Sequence, residues 1–88
     1  MRFLYDAAKA AANVRKHGVM FADAEGVLQD PLAVTIEDPD SQGEHRYVAI
    51  GLGSLGDLLV VVYAERGEEY RLISARRATR KERKAYEG

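Results

Sequence analysis

The sequence predicts an α+β domain: two N-terminal helices packed on a small antiparallel β-sheet, with a C-terminal helix closing the chain. Three observations predict it. Residues 32–37, 46–52, 58–66 and 70–76 are rich in β-branched and apolar residues and are separated by short runs of turn-forming residues. Ahead of them lie two stretches with helical apolar spacing. Behind them, Thr79 followed by Glu82 is the T-x-x-E capping box that opens a helix. Connections this short force consecutive strands into an antiparallel meander. A bare sheet of this size has no core, so helices are expected to cover one of its faces.

Taken in order, Arg2 to Tyr5 suits a short strand, and Asp6 is a good N-cap for a helix from Ala7 to about Lys16. Gly18 supplies the C-terminal stop. Ala7, Ala8, Ala11 and Val14 form its apolar stripe, while Lys9, Asn13, Lys16 and His17 line up along another face. That polar row reads either as ordinary surface or as one wall of a site. Phe21 to Leu28 is a second short helix, weakened by Gly26 and ended by Asp30-Pro31. Residues 38–43 and 53–57 are turns. Leu58 to Arg66 is apolar on both faces, as a central strand should be. In the last strand, a period of two sets Leu72, Ser74 and Arg76 against Ile73, Ala75 and Arg77.

The 88 residues make a single domain, residues 1–88, with no repeat, linker or low-complexity segment. With 47% hydrophobic and 31% charged residues the chain should fold, and without cysteine it must do so by apolar packing rather than by disulfides. No leader pattern or membrane-length apolar run is seen, so a cytoplasmic protein with no membrane association is expected.

The net charge of −1 conceals a strong asymmetry. From Phe21 to Glu44 the chain carries Asp23, Glu25, Asp30, Glu37, Asp38, Asp40 and Glu44 without one Lys or Arg. From Arg71 to Lys84 it carries Arg71, Arg76, Arg77, Arg80, Lys81, Arg83 and Lys84 against Glu82 alone. One end is suited to a polyanion, and the other repels one or meets a basic protein.

Familiar chemistries drop out. There is no phosphate loop, dinucleotide fingerprint or nucleophile elbow, and Pro39 argues against a calcium loop at Asp38 and Asp40. Two histidines on separate elements make a poor zinc site, so no metal and no cofactor is expected. The arginine-rich strand-to-helix join remains. Arginines over a small sheet, with Tyr63, Tyr70 and Tyr86 available to stack on unpaired bases, suit RNA better than duplex DNA. The plain alternatives are a solvated basic helix and, for each tyrosine, a core or edge position. Hairpin geometry also places Arg66 at the tip between the last two strands and Arg76 at the opposite edge.

Tyr5-Asp6-Ala7-Ala8-Lys9-Ala10-Ala11-Ala12-Asn13-Val14-Arg15-Lys16-His17-Gly18-Val19 resembles the opening signature of the BrnT toxin family. So do Asp30-Pro31-Leu32-Ala33, Arg46-Tyr47 with Ile50-Gly51, Val60 to Gly67, and Arg71 to Thr79. The resemblance runs through nearly the whole chain. It implies a RelE-like fold and a translation-inhibiting ribonuclease toxin of a type II toxin–antitoxin pair. The implied partner is a BrnA-type ribbon-helix-helix antitoxin that binds operator DNA and forms a heterotetramer with the toxin. Its motif positions fall here on Lys16 and His17, Glu65 and Arg66, and Arg76 and Arg77.

RNA cleavage without a metal has the ribose 2′-hydroxyl attack the adjacent phosphate, which requires a base, an acid and stabilisation of added phosphate charge. On this expectation Arg76 stabilises charge, with Arg66 or Arg77 as a second clamp. Glu65 or His17 is the base, and Lys16 is the acid or positions the phosphate. Arg77, Arg80, Lys81, Lys9 and Tyr86 would hold flanking RNA. The competing reading is a non-catalytic RNA- or protein-binding interaction module.

Overall fold

Five strands and three helices follow one another as β1 (Arg2–Leu4), α1 (Ala7–His17), α2 (Phe21–Leu28), β2 (Val34–Glu37), β3 (His45–Leu52), β4 (Leu58–Arg66), β5 (Glu69–Arg77) and α3 (Arg80–Glu87) in the computed structural model, which describes residues 2–39 and 43–88. Asp40 to Gln42 of the expected turn at 38–43 lie outside the described residues. The helix caps are those the sequence announces. The Asp6 carboxylate accepts from the Ala8 amide, Gly18 closes α1 in the left-handed region at φ 70°, and Thr79 and Glu82 form a complete capping box. No helix of the described residues is long and apolar enough to cross a membrane.

The strands form one sheet in the order β1-β5-β4-β3-β2. Strands β2 to β5 are the expected antiparallel meander, but β1 joins the outer edge of β5 in parallel, so the sheet is mixed rather than antiparallel. The correction has a simple cause. Helix α1 intervenes between β1 and the meander, and that crossover allows parallel pairing where a short hairpin would not.

A second correction concerns the alternation in β5. Val62 pairs with Ser74, yet Tyr63 pairs with Leu72, so Ile73 is the extra residue of a β-bulge. Leu72 therefore shares a face with Ala75, not with Ser74, and both are buried in the main core. Period-two reading has no way to register an inserted residue.

The main core lies between one face of the sheet and α2. Phe21, Ala24 and Val27 pack with Ala49, Leu59, Val61, Tyr63, Leu72 and Ala75. Each large side chain removed from water there contributes roughly 1.5–3 kcal/mol. Gly26 costs α2 helix propensity but serves its packing. A Cβ at this position would come within 2.5 Å of the Ser54 backbone nitrogen, so its absence lets the β3–β4 turn dock against the helix. The buried Asp23 fastens the same turn by accepting from the Leu55 amide at 2.8 Å.

Helices cover both faces, not one. Strand register puts Arg76, Val60 and Ile50 on the face opposite Ala75, Val61 and Ala49. Helix α3 lies against that second face, where Glu82 grips Arg76 and the Tyr86 hydroxyl donates to Asp30 at 2.6 Å. Val60 is only 3% exposed as a result.

Candidate functional site: a cationic groove at the free edge of β5

Strand β1 pairs with β5 only from Glu69 to Arg71, which leaves the outer edge of β5 without a strand neighbour beyond that point. Helix α1 fills the gap with one side chain. Asn13 accepts from the Ala75 amide at 3.1 Å and donates to the Ala75 carbonyl at 2.8 Å, and it also donates to the Val19 carbonyl at 2.9 Å. A carboxamide reproduces the donor and acceptor of a peptide group, so Asn13 pairs with Ala75 as a neighbouring strand would. This fixes the rotation of α1 about its axis. Lys9, Lys16 and His17, on the same helical face, are thereby held over the edge of β5.

Between them and the strand runs an open groove of about 220 Å³, lined by Lys9, Ala12, Asn13, Lys16, His17, Ile73 and Ser74. Among the described residues no acidic side chain lines it. Arg77 adjoins the same helix end, since a Cβ added to Gly18 would meet its Nη1 at 3.7 Å. The nearest carboxylate to Arg77, that of Asp57, is 3.8 Å away and more than half exposed, so it neutralises Arg77 weakly. The carbonyl end of α1 favours this gathering of cations, with Arg15, Lys16 and His17 in its last turn. An imidazole, two ammonium groups and a guanidinium thus adjoin one edge, a set able to transfer protons and hold phosphate.

The other expected site residues sort themselves by position. Arg76 is beside Arg77 in sequence but on the opposite face, and both its terminal nitrogens donate to Glu82 at 2.8 Å. That bond, more than any other influence, holds the Glu82 carboxyl down at about 2 and raises Arg76 above its ordinary value. Glu65 and Arg66 lie at the β4–β5 hairpin, opposite Tyr70 and Glu69. Arg66 lies six strand steps from Val60, the partner of Arg76, which is roughly 20 Å. They border a different hollow, with Leu4, Glu44, Ala64, Glu69 and Arg71, in which Arg71 is paired with Glu44 at 2.8 Å. The five residues expected to be catalytic are therefore not gathered in one place. Lys16 and His17 stand together; Arg76, and the pair Glu65 and Arg66, stand apart from them.

Arg80 and Lys81 open α3, directly after the end of β5, and are exposed. Tyr86 is engaged by Asp30, whose carboxyl this bond lowers while the phenol is raised. Tyr63 is 7% exposed and packed between Tyr47 and Tyr70, so it offers no face to a base; burial raises its phenol and that of Tyr70. Three contributors escaped the sequence reading. Asn13 counted only as part of a polar row, although an asparagine in the middle of a helix is unfavourable enough to invite a reason. Ser74 and Ile73 reach the groove through the bulge and the missing strand neighbour, neither of which leaves a pattern in sequence.

The family described as the ribonuclease toxin, BrnT, of type II toxin–antitoxin systems matches residues 5–82. No curated protein matches the chain. Among solved structures, the crystal structure of the Brucella abortus ribonuclease toxin BrnT superposes with a TM-score of 0.70 at 29% sequence identity, covering 91% of this chain and 99% of that one.

Proposed function

This chain belongs to the BrnT family of ribonuclease toxins of type II toxin–antitoxin systems, and on that premise we propose that it is an endoribonuclease that cuts RNA in the groove between α1 and β5 without a metal ion. The observation that carries the location is the groove's lining: Lys9, Lys16 and His17 with no acidic residue among the described residues, beside Arg77. A strand of RNA laid along the β5 edge would bring a phosphate to Lys16 and Arg77. His17 takes the proton from the 2′-hydroxyl as that oxygen attacks the phosphorus, and the bond to the 5′-oxygen breaks. Lys16 gives a proton to the leaving 5′-oxygen, and the Arg77 guanidinium balances the added negative charge on the phosphate. The products are a 2′,3′-cyclic phosphate and a free 5′-hydroxyl.

Arg80, Lys81 and Lys9 would hold neighbouring phosphates. Arg76 joins them in this reading only by giving up one bond to Glu82; otherwise it serves to seat α3. Glu65 and Arg66 would contact RNA only if the strand extended along the sheet to the hairpin. The same reading includes a RelE-like course of the chain, growth inhibition in the cytoplasm by cutting translated RNA, and a BrnA-type ribbon-helix-helix antitoxin forming a heterotetramer that binds operator DNA.

The test is incubation of the purified protein with a defined single-stranded RNA in EDTA. Cleavage leaving 2′,3′-cyclic phosphate ends is expected, falling on the order of 100-fold in His17→Ala. The proposal fails if cleavage requires added Mg²⁺, or if His17→Ala and Arg77→Ala both cut as the parent does.

A further inference from the structure

Strand β2 is an outermost strand of the sheet, and all four of its residues are exposed. Its hydrogen-bonding phase follows from one contact. The Asp38 amide donates to the Arg46 carbonyl at 2.8 Å, so this pair bonds across the ladder. Antiparallel pairs alternate, so Ile36 with Val48 and Val34 with Ile50 also bond across, while the N–H and C=O of Thr35 and Glu37 point outward. Edge strands are ordinarily blunted by lysine, proline or a bulge. Val34 to Glu37 has none of these.

The side chains make this edge adhesive. Val34 and Ile36 share the α3 face of the sheet with Ile50 and Val48, and Ile36 is 60% exposed. Leu32, just before the strand, is 72% exposed, and Leu52 at the end of β3 is exposed as well. The strand itself ends in the acidic Glu37, followed at once by Asp38, while Arg46 of β3 lies on the Ile36 face and is paired with Glu44. A second copy of the chain is disfavoured, since a second β2 would add its own Glu37 and Asp38 carboxylates to the same edge. An extended segment alternating apolar residues with Lys or Arg meets every demand at once: the outward backbone groups, the apolar strip and the negative charge.

We infer that β2 is the docking edge for the antitoxin, which adds such a segment as a sixth strand. The inference rests on membership in a toxin–antitoxin family. It makes docking separate from catalysis, because β3 and β4 lie between β2 and the β5 groove, a span of roughly 14 Å across the sheet.

The test uses the full chain and its cognate antitoxin, with affinity measured by calorimetry. Thr35→Pro removes an outward N–H while leaving the β2–β3 bonds intact, and Ile36→Lys guards the edge without altering the backbone. Each is expected to weaken antitoxin binding by at least about tenfold. RNA cleavage and thermal unfolding of the free variants should match the parent. Antitoxin binding should also slow hydrogen exchange at the Thr35 and Glu37 amides. Should Thr35→Pro unfold, Ile36→Lys decides the question. Parent-like binding by a folded Ile36→Lys, or protection confined to α1 and β5, overturns the inference. So does a self-associating free chain that Ile36→Lys makes monomeric, since a second copy would then own the edge. If the parent chain binds no antitoxin while still cutting RNA, the pairing itself fails and the inference with it.

Discussion

Asn13 and Ala75 are 62 residues apart in sequence and are joined by two hydrogen bonds, the Ala75 amide donating to Asn13 Oδ1 and Asn13 Nδ2 donating to the Ala75 carbonyl. The pair sets the rotation of α1 and hence the direction of Lys9, Lys16 and His17. Replacing Asn13 by Ala leaves the Ala75 amide and two carbonyls without partners in a buried place, at roughly 1–3 kcal/mol. Chemical denaturation should show that loss. RNA cleavage by the folded fraction should fall too, because the groove loses its far wall. A fully stable Asn13→Ala would mean that α1 is held by its apolar contacts alone.

The groove and the hairpin separate two sets of arginines, and activity should follow the groove. Arg77→Ala is expected to lower RNA cleavage on the order of 100-fold, the usual effect of losing a donor to transition-state charge. Arg66→Ala, roughly 20 Å along the sheet, should lower it by less than about threefold. Equal losses from the two substitutions would move the active site to the hairpin.

Arg76 and Glu82 predict how acid acts on α3. The folded Glu82 carboxyl sits at about 2 against an ordinary 4.5, so the unfolded chain binds the proton more readily. Its contribution to stability is therefore fully present above pH 4.5 and is lost as the pH falls from there toward 2. Glu82→Gln removes this dependence along with the ion pair, while its amide oxygen still accepts from the Thr79 amide and keeps the capping box. Unfolding measured from pH 6 down to 2 should show a shallower slope for the variant. Parallel slopes would mean that the pair contributes nothing to folding.

Gly26 sets two effects against each other. Alanine gains about 1 kcal/mol in helix propensity over glycine. Its Cβ would also stand 2.5 Å from the Ser54 nitrogen and 2.9 Å from the Gly53 carbonyl carbon, which are backbone atoms with little room to yield. Overpacking of this kind costs about 1–3 kcal/mol, so Gly26→Ala should lower the thermal midpoint despite the better helix former. A raised midpoint would show that the β3–β4 turn shifts freely.

Elements whose causes are local were legible in the chain. Asp6, Gly18 and the Thr79–Glu82 box marked helix ends because caps act within a few residues, and α2 and β4 fell at their expected bounds. The meander followed from short turns. The cationic row Lys9, Lys16 and His17 was visible as well, because helical spacing alone puts those residues on one face.

The arginine-rich join that dominates the sequence is divided between the two faces of the sheet. Neighbours in a strand point to opposite faces, so Arg76 turned to Glu82 while Arg77 turned to the end of α1. Local patterns in the chain carry the elements, their caps and the segregation of charge. The parallel pairing of β1, the insertion of Ile73 and the substitution of Asn13 for a missing strand arise from long-range packing. Those three outcomes locate the groove, and each rests on hydrogen bonds between segments remote in sequence, which no local pattern encodes.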